Sequence, residues 1–402
     1  MLKQENHIIN AKQLLLIPAF MLLSLTSAFA DTAFNRFIQS VQAEARGKGI
    51  DAAYLEALAR LEPDPEVVRL SERQPEYVKP IWAYLDHMVT DERLRLGRAE
   101  LQEWDAFLGQ LESQYGVPRS IIVAIWGVET NYGGNKGSFP VLQALATLGY
   151  QGKRAAFGRQ QLLAALDILQ SGDVALADFK GSWAGAMGHT QFIPTTYLGY
   201  AADGTGDGIR NIWTQPRDAL ASTANYLKVS GWRAGLPWGV EVSLPDGFDF
   251  GMADLKRYEP VSLWQEMGVT ALSGELYASL GDLALFAPAG HRGPAFLVTR
   301  NFRALLRYNT APAYALAVGH LADRFDGLGN IARAWPLGDR PLLPREITEL
   351  QRQLAAKGYD TGDADGVLGR LTRRAVRQYQ AAENLVADGY ATPGLLTHLL
   401  AK

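Results

Sequence analysis

A single acidic side chain, Glu129, interrupts a long stretch of apolar and small residues. It is the only acidic or basic side chain within residues 120–132, and the pattern predicts a helix that is apolar, and therefore buried, on every face. Glu129 falls in the predicted last turn, where burial and the helix dipole both favour a protonated carboxyl. We therefore expect Glu129 to keep its proton near neutral pH and to donate it as a general acid. An exposed glutamate at the end of a helix is the alternative.

A second cluster, residues 182–197, interleaves glycine and alanine with aromatic and hydroxyl side chains. Small residues let the backbone approach a ligand closely. Ser182 and Gln191 supply neutral hydrogen-bonding groups, and the aromatic side chains supply flat faces, which suits sugar rings and acetamido groups better than ions. A glycine-rich turn that packs for its own sake is the alternative.

A third segment, residues 203–211, resembles the start of a calcium loop, with oxygen-bearing residues at alternate positions. An EF-hand loop would end in a glutamate where this chain has Thr214, so a later carboxylate would have to replace it. The predicted ligands are Asp203, Thr205, Asp207, Ile209 and Asp218. A plain turn built from Asp and Gly explains the segment equally well.

Composition and motif spacing exclude several other chemistries. The six histidines show neither the HExxH nor the HxH spacing of a zinc amidase or peptidase, and the absence of cysteine excludes thiol catalysis, thiolate metal sites and disulfides. The glycine-rich residues 133–138 lack the order of a phosphate-binding loop. The net charge is −3, from 39 basic and 42 acidic residues, which predicts no attraction to nucleic acid or anionic lipid.

The surrounding pattern predicts a mainly α protein with a small β-rich part. Apolar residues recur at helical spacing from residue 34 to about 236 and again over 314–318. Between these regions, over about 237–300, short apolar runs bounded by turn residues predict strands. Proline and glycine break the pattern over 335–344, which we interpret as a domain boundary.

The last residues, 344–402, have the pattern of a separate helical unit. A first helix carries Leu350 and Leu354, and a glycine-rich loop follows at 363–369. We expect Thr372 to cap a second helix, and Thr392 to cap a third that has Pro393 at its first position.

The first thirty residues have the order of a secretory signal peptide. Two lysines precede an apolar run over residues 14–25, and the small residues Ala28 and Ala30 provide a cleavage site after Ala30. A retained membrane anchor is the alternative, although the run is short and interrupted for a span of about 20 residues. With no cysteine for lipid attachment, we expect a soluble periplasmic protein without a membrane anchor.

Four motifs in order make the region from about residue 34 to 333 similar to the membrane-bound lytic murein transglycosylase B family. They are residues 127–133 around Glu129, residues 182–194, residues 203–213 with 224–227, and residues 307–309 with 314–318. The resemblance implies a lysozyme-like helical core with a small β part. It also implies cleavage of the β-1,4 bond between N-acetylmuramic acid and N-acetylglucosamine without water, leaving a 1,6-anhydromuramoyl end.

The resemblance makes Glu129 the catalytic acid and base. Residues that it places along the glycan cleft are Ser182, Gln191, Tyr226, Tyr308, Asn309 and Tyr314, with Tyr84 and Arg154 as weaker matches. Most glycosidases use two carboxylates, but here the acetamido group of the substrate can stabilise the developing positive charge, so no metal or cofactor is required. Whether the loop binds a structural calcium ion stays open, because it carries one residue more before Asp218 than the loops of calcium-binding relatives do.

The C-terminal unit resembles the three-helix peptidoglycan-binding domain, which implies that it holds the enzyme on the wall. The expected domains are a signal peptide at 1–30, a catalytic domain at 31–335, a linker at 336–343 and the binding domain at 344–402. The expected partner is the glycan strand of peptidoglycan, and a partnership with wall-synthesis enzymes stays open.

Two other functions compete with this interpretation. A lysozyme-type hydrolase on the same core would consume water and leave reducing ends. An inert wall-binding scaffold would carry a substitution at the catalytic glutamate, which this chain does not have.

Overall fold

The computed structural model describes residues 18–72 and 79–402. The start of the predicted signal peptide lies outside these ranges, so cleavage after Ala30 stays a prediction. No helix within the described ranges combines the length and apolar character that crossing a membrane requires.

The described chain is mainly helical, as the sequence predicts. Its helices are α1 Pro18–Gly47, α2 Ala52–Ala59, α3 Pro65–Glu72, α4 Ile81–Met88, α5 Asp91–Glu103, α6 Asp105–Tyr115, α7 Arg119–Thr130, α8 Val141–Tyr150, α9 Ala155–Ser171, α10 Pro194–Tyr200, α11 Pro216–Val229, α12 Val261–Glu266, α13 Arg300–Tyr308, α14 Pro312–Phe325, α15 Pro344–Ala356, α16 Arg370–Ala382 and α17 Pro393–Leu400. The strands are β1 Phe139–Pro140, β2 Lys180–Gly181, β3 Gly239–Ser243, β4 Glu259–Pro260, β5 Thr270–Ala271, β6 Asp282–Phe286 and β7 Ala295–Val298.

The chain divides into two compact units. The first comprises the described residues up to 72 together with 137–187 and 192–198. Its centre is the pair α8 and α9, which approach so closely that a Cβ atom at Gly158 would overlap the backbone of Gly149. Glycine is therefore required at this crossing because no side chain fits there.

The second unit comprises residues 79–136, 188–191 and 199–402 among those described. Helix α7 lies at its centre and packs against α5, α6, α11 and α14. Residues 122–125 of α7 have no solvent exposure at all. A helix surrounded in this way must be apolar on every face, so the prediction of a fully buried helix before Glu129 is confirmed.

A five-stranded antiparallel sheet with the order β4-β6-β7-β3-β5 forms the β-rich part of the second unit. All four residues of the central strand β7 are buried, and β7 pairs with β3 from Gly239 opposite Val298 to Val242 opposite Ala295. The small β-rich part that the short apolar runs predict is therefore present.

Helices α15, α16 and α17 pack around a separate apolar core that includes Leu350, Leu354 and Tyr379. Thr392 caps α17 by accepting the Leu395 amide, with Pro393 in the first turn, as predicted. The prediction that Thr372 caps α16 is wrong. That helix begins at Arg370 after the extended Gly369, so Thr372 lies inside it and accepts a hydrogen bond from the buried Gln351 amide.

The fully buried amide of Asn301 ties α13 to the segment that leads into the sheet. Its Oδ1 accepts the Arg233 amide at 2.7 Å, and its Nδ2 donates to the carbonyls of Arg233 and Leu236 at 3.0 and 2.7 Å. Asn301→Leu leaves these three backbone groups without partners, so we expect a loss of about 3 kcal/mol in the free energy of unfolding, measured in urea. Thr397→Val on the exposed face of α17 is the control and should change it by less than about 0.5 kcal/mol. A loss of similar size in both variants would contradict this account.

Candidate active site

Glu129 lies in the last turn of α7, and its carboxyl is held by one strong hydrogen bond. The hydroxyl of Tyr314 donates to Oε1 at 2.6 Å. Burial raises the pKa of Glu129 to about 7, and the Tyr314 hydrogen bond opposes this rise. No charge from a second described acidic residue contributes to the shift. The side chain is only partly buried, so at neutral pH it is a proton donor within reach of a ligand.

Four tyrosines form a continuous row that ends at Glu129. Tyr308 stacks on Tyr314 with ring centroids 6.2 Å apart and an interplanar angle of 13°. Tyr226 and Tyr308 form an edge-to-face pair with ring centroids 5.0 Å apart. Tyr200 and Tyr226 form another, with ring centroids 4.7 Å apart. Burial and the Glu129 charge hold the pKa of Tyr308 and of Tyr314 well above the ordinary value, so both are neutral hydroxyl donors.

Sequence reasoning found three of these tyrosines and missed Tyr200. Its only sequence signal is its place at the end of α10, three residues before Asp203, and nothing about that spacing marks it as part of a site. The contact that includes it in the row joins α10 to α11 and is visible only in three dimensions.

Tyr84 and Asn309 lie at two further positions in the second unit. The pKa of Tyr84 rises to about 12, because of burial first and the Glu129 charge second, so the ring on α4 lies close to the carboxyl. Asn309 ends α13 at an exposed turn, where its Oδ1 accepts the Ala311 amide at 3.0 Å.

Gln191 adopts a left-handed backbone conformation with φ of 52°. Its Nε2 donates to the carbonyls of Lys136 at 3.3 Å and Gly188 at 3.0 Å. Asn131 and Tyr132, directly after α7, are also left-handed, with φ of 51° and 59°. Such residues cost of order 1–3 kcal/mol each and cluster where a surrounding structure imposes them.

Ser182 and Arg154 belong to the first unit. The Ser182 Oγ accepts the amides of Ala184 at 3.3 Å and Ala186 at 3.0 Å, and the Arg154 guanidinium lies over the rings of Phe157 and Trp183.

Some of the glycines in the second motif also serve packing. A side chain at Gly185 would overlap Leu145, and one at Gly188 would overlap the Ile212 carbonyl. Packing therefore explains these two glycines without reference to a ligand.

The carboxylates of the predicted calcium loop are engaged by the protein itself. Asp203 accepts the amides of Thr205, Gly206 and Gly208 at 2.6–3.0 Å. Asp218, which is fully buried, accepts those of Gly204, Thr205 and Asn211 at 2.7–3.1 Å.

The loop therefore closes on backbone donors, which hold Asp203 and Asp218 in place. No group of three His, Cys, Asp or Glu side chains in the described ranges could hold a metal ion. Calcium binding by Asp203, Thr205, Asp207, Ile209 and Asp218 stays a prediction from sequence.

Tyr314→Phe removes the donor that stabilises the Glu129 carboxylate, so the pKa of Glu129 should rise above its value of about 7. The pH profile of kcat should show this as an alkaline limb displaced upward by about one pH unit, together with a lower maximum. Tyr277→Phe, at an exposed position, is the matched control and should leave the limb in place. An alkaline limb that stays fixed or moves downward in Tyr314→Phe would refute the role of this hydrogen bond.

Glu129→Gln should change stability in a pH-dependent way. The folded pKa of about 7 exceeds the ordinary 4.5, so stability is fully present below pH 4.5 and is lost as pH rises through 7. Glutamine lacks this loss, so at pH 8 the variant should be more stable than the wild type by up to about 3 kcal/mol. The two proteins should converge at pH 4. Denaturant unfolding at both pH values measures the effect, with Glu103→Gln on the exposed face of α5 as control. A variant less stable at pH 8 would indicate that the carboxyl is structural.

Two family models match the chain. The transglycosylase SLT domain model matches residues 33–323, and the peptidoglycan binding domain model matches residues 345–399. Membrane-bound lytic murein transglycosylase B of Escherichia coli (strain K12) is 33% identical over 282 residues, which are 68% of this chain and 74% of that protein.

Solved structures agree with these matches. SltB3 from Pseudomonas aeruginosa in complex with NAG-anhNAM-pentapeptide is 51% identical, with a TM-score of 0.89 over 91% of this chain and 99% of that chain. Lytic transglycosylase Slt35 from Escherichia coli in complex with calcium is 30% identical, with a TM-score of 0.64 over 73% of this chain and 93% of that chain.

The first family model spans well over half of the chain, and it includes the buried carboxyl and the tyrosine row that ends at it. With the relative from Escherichia coli at 33% identity, these matches establish that the chain belongs to the lytic murein transglycosylases of the SLT domain family, and that a peptidoglycan binding domain follows in the same chain.

Proposed function

We propose that this protein is a lytic transglycosylase that cleaves the β-1,4 bond between N-acetylmuramic acid and N-acetylglucosamine in peptidoglycan, forming 1,6-anhydromuramoyl ends without consuming water. The observation that carries the proposal is the Glu129 carboxyl, whose pKa of about 7 lets it both give and take a proton. The complexes of SltB3 with NAG-anhNAM-pentapeptide and with NAG-NAM-pentapeptide support this choice of substrate and product.

In the first step, protonated Glu129 donates its proton to the glycosidic oxygen that links the two sugars. The bond from C1 of the muramic acid to that oxygen breaks, and the N-acetylglucosamine leaves with a free hydroxyl group. Positive charge develops at C1, where the oxygen of the substrate's own acetamido group stabilises it. The Tyr314 hydroxyl stabilises the carboxylate that Glu129 has become.

In the second step, the Glu129 carboxylate accepts the proton of the C6 hydroxyl group as that oxygen attacks C1. The new C1–O6 bond closes the 1,6-anhydro ring, and Glu129 returns to its protonated form. A pKa near 7 suits both steps, because a much stronger acid could not recover the proton and a much weaker one could not donate it.

The binding residues that the family resemblance names are proposed to bind and orient the glycan. The partly exposed rings of Tyr84, Tyr226 and Tyr308 are proposed to offer apolar faces to the sugars. The ring of Tyr314 is buried, so Tyr314 acts through its hydrogen bond to Glu129 and does not contact the glycan with its ring. Polar groups proposed to contact the acetamido, hydroxyl and peptide groups are those of Ser182, Gln191, Asn309 and Arg154.

A hydrolase is the second candidate function. Hydrolytic glycosidases pair two carboxyl groups across the scissile bond, one of them activating water or attacking the sugar. The pKa shift of Glu129 arises from burial and from Tyr314, with no contribution from another described acid. The complex of SltB3 with NAG-anhNAM-pentapeptide supports an intramolecular attack by the C6 hydroxyl over an attack by water.

The proposal extends to the rest of the chain. The C-terminal helices are proposed to bind peptidoglycan and so to keep the glycan concentration high near the cleft. We propose domains at 31–335 and 344–402, joined by a linker at 336–343, and export to the periplasm by a signal peptide at 1–30. No cofactor is assigned a role in the reaction.

Mass spectrometry of purified sacculi digested in ¹⁸O-labelled water tests the reaction type. We expect muropeptides that are lighter by one water than reducing-end products and that carry no label. Glu129→Gln should lower the rate by at least about 100-fold, since general acid catalysis contributes 10²–10⁴-fold. Glu103→Gln, exposed on α5, should digest sacculi like the wild type. Labelled reducing-end products from the wild type would show that the enzyme is a hydrolase.

A further inference from the structure

His189 is a buried residue to which the proposed reaction assigns no role. Its residue exposure is 6%, and its Nδ1 lies 2.9 Å from the indole Nε1 of Trp126 in α7. An indole N–H can only donate, so Nδ1 must be the acceptor. The ring is therefore neutral, with its proton on Nε2.

His189 holds the last turn of α7 at a second point through its backbone. The Thr130 hydroxyl donates to the His189 carbonyl at 3.0 Å, and the His189 amide donates to the Ile212 carbonyl at 2.9 Å. Trp126 lies three residues before Glu129 and Thr130 one residue after it. The two contacts therefore bracket the carboxyl along the helix.

The imidazole ring also packs against the strained turn that follows α7. A Cβ atom at Gly133 would overlap Cε1 and Nδ1 of His189, so the backbone lies directly on the ring. Between Glu129 and Gly133 the chain passes through Asn131 and Tyr132, both in the left-handed region. Two such residues in succession persist only where surrounding contacts impose them.

Lys136 keeps the ring in this neutral form. Its Nζ lies 3.3 Å from Nε2 and donates to the Trp213 carbonyl at 2.8 Å. An ammonium group and an Nε2–H are both donors, so they form no hydrogen bond with each other. Burial first and the Lys136 charge second lower the pKa of His189 to about 4, well below that of Glu129.

We propose that His189 is a positioning residue for Glu129, which fixes the last turn of α7 through Trp126 and Thr130 and holds the left-handed turn behind it. The inference rests on the proposed function, in which one carboxyl must reach the glycosidic oxygen and then the C6 hydroxyl. Displacement of a catalytic group by about 1 Å can cost on the order of 100-fold in rate. A helix end followed by a strained turn needs such an external contact to stay in place.

The test compares His189→Leu, which removes the acceptor, with His189→Asn, whose side-chain oxygen can occupy the place of Nδ1. We expect His189→Leu and Trp126→Phe each to lower kcat at least about 10-fold, with KM changed less than twofold. His189→Asn should recover kcat to within about threefold of the wild type. The double variant Trp126→Phe/His189→Leu should match the worse single variant, because both changes break one contact.

A pH profile separates positioning from general stability. In His189→Leu the alkaline limb of kcat should move downward by about one pH unit, as the carboxyl loses its buried place. Equal kcat for the Leu and Asn variants, or independent effects that multiply in the double variant, would overturn the inference. If His189→Leu does not fold, Trp126→Phe and His189→Asn provide the same comparison. A lower melting temperature with unchanged kcat in Trp126→Phe would then overturn the positioning role of His189.

Glu129→Gln, assayed in parallel, keeps the two proposals distinguishable. Activity in that variant would refute the proposed function. An inactive Glu129→Gln beside a fully active His189→Leu would refute only the positioning role of His189.

Discussion

The structure around the candidate site is organised by two opposing effects on the pKa of one carboxyl group, that of Glu129. Removal from water favours the neutral form of Glu129, and the Tyr314 hydroxyl favours the ionised form. Burial is the larger of the two, and the pKa settles near 7. In the proposed mechanism, this balance lets a single residue take the two roles that other glycosidases divide between two carboxyls, so each neighbouring element matters through its effect on that group.

The fold supports this balance by building the walls of the site from helices that are themselves buried. Tyr314 lies in the first turn of α14, which packs directly on α7. The β-rich part supports α14 from another side, since the indole of Trp238 packs on Gly319 and donates to Asp323 at 3.0 Å. The β-rich part therefore contacts the helix that supplies the Tyr314 hydroxyl, and in the proposed mechanism it affects the reaction only through that helix.

The features that the sequence predicts are those whose cause is local. An apolar stretch of this length favours a buried helix, and the structure confirms that helix. The same pattern left an exposed Glu129 at the helix end as an alternative, which the hydrogen bond from Tyr314 decides in favour of a buried environment. Pro393 after Thr392 defines a helix start by local chemistry alone.

Thr372 shows the limit of such reasoning, because a threonine near a helix start also suits the interior when a buried amide such as Gln351 needs a partner. The sequence does not predict the places of Tyr200 and His189 in the site, because their contacts join segments that are distant in the chain. Oxygen spacing alone does not reveal that backbone amides already engage Asp203 and Asp218.

The most direct test of the central claim is the pKa of the Glu129 carboxyl itself. It can be measured by ¹³C NMR of the side-chain carboxyls across a pH titration, with the resonance assigned by its absence in Glu129→Gln. The account predicts a midpoint near 7, far above the ordinary 4.5. A midpoint at or below 4.5 would mean that the group is ionised throughout the neutral range, which would contradict its role as proton donor.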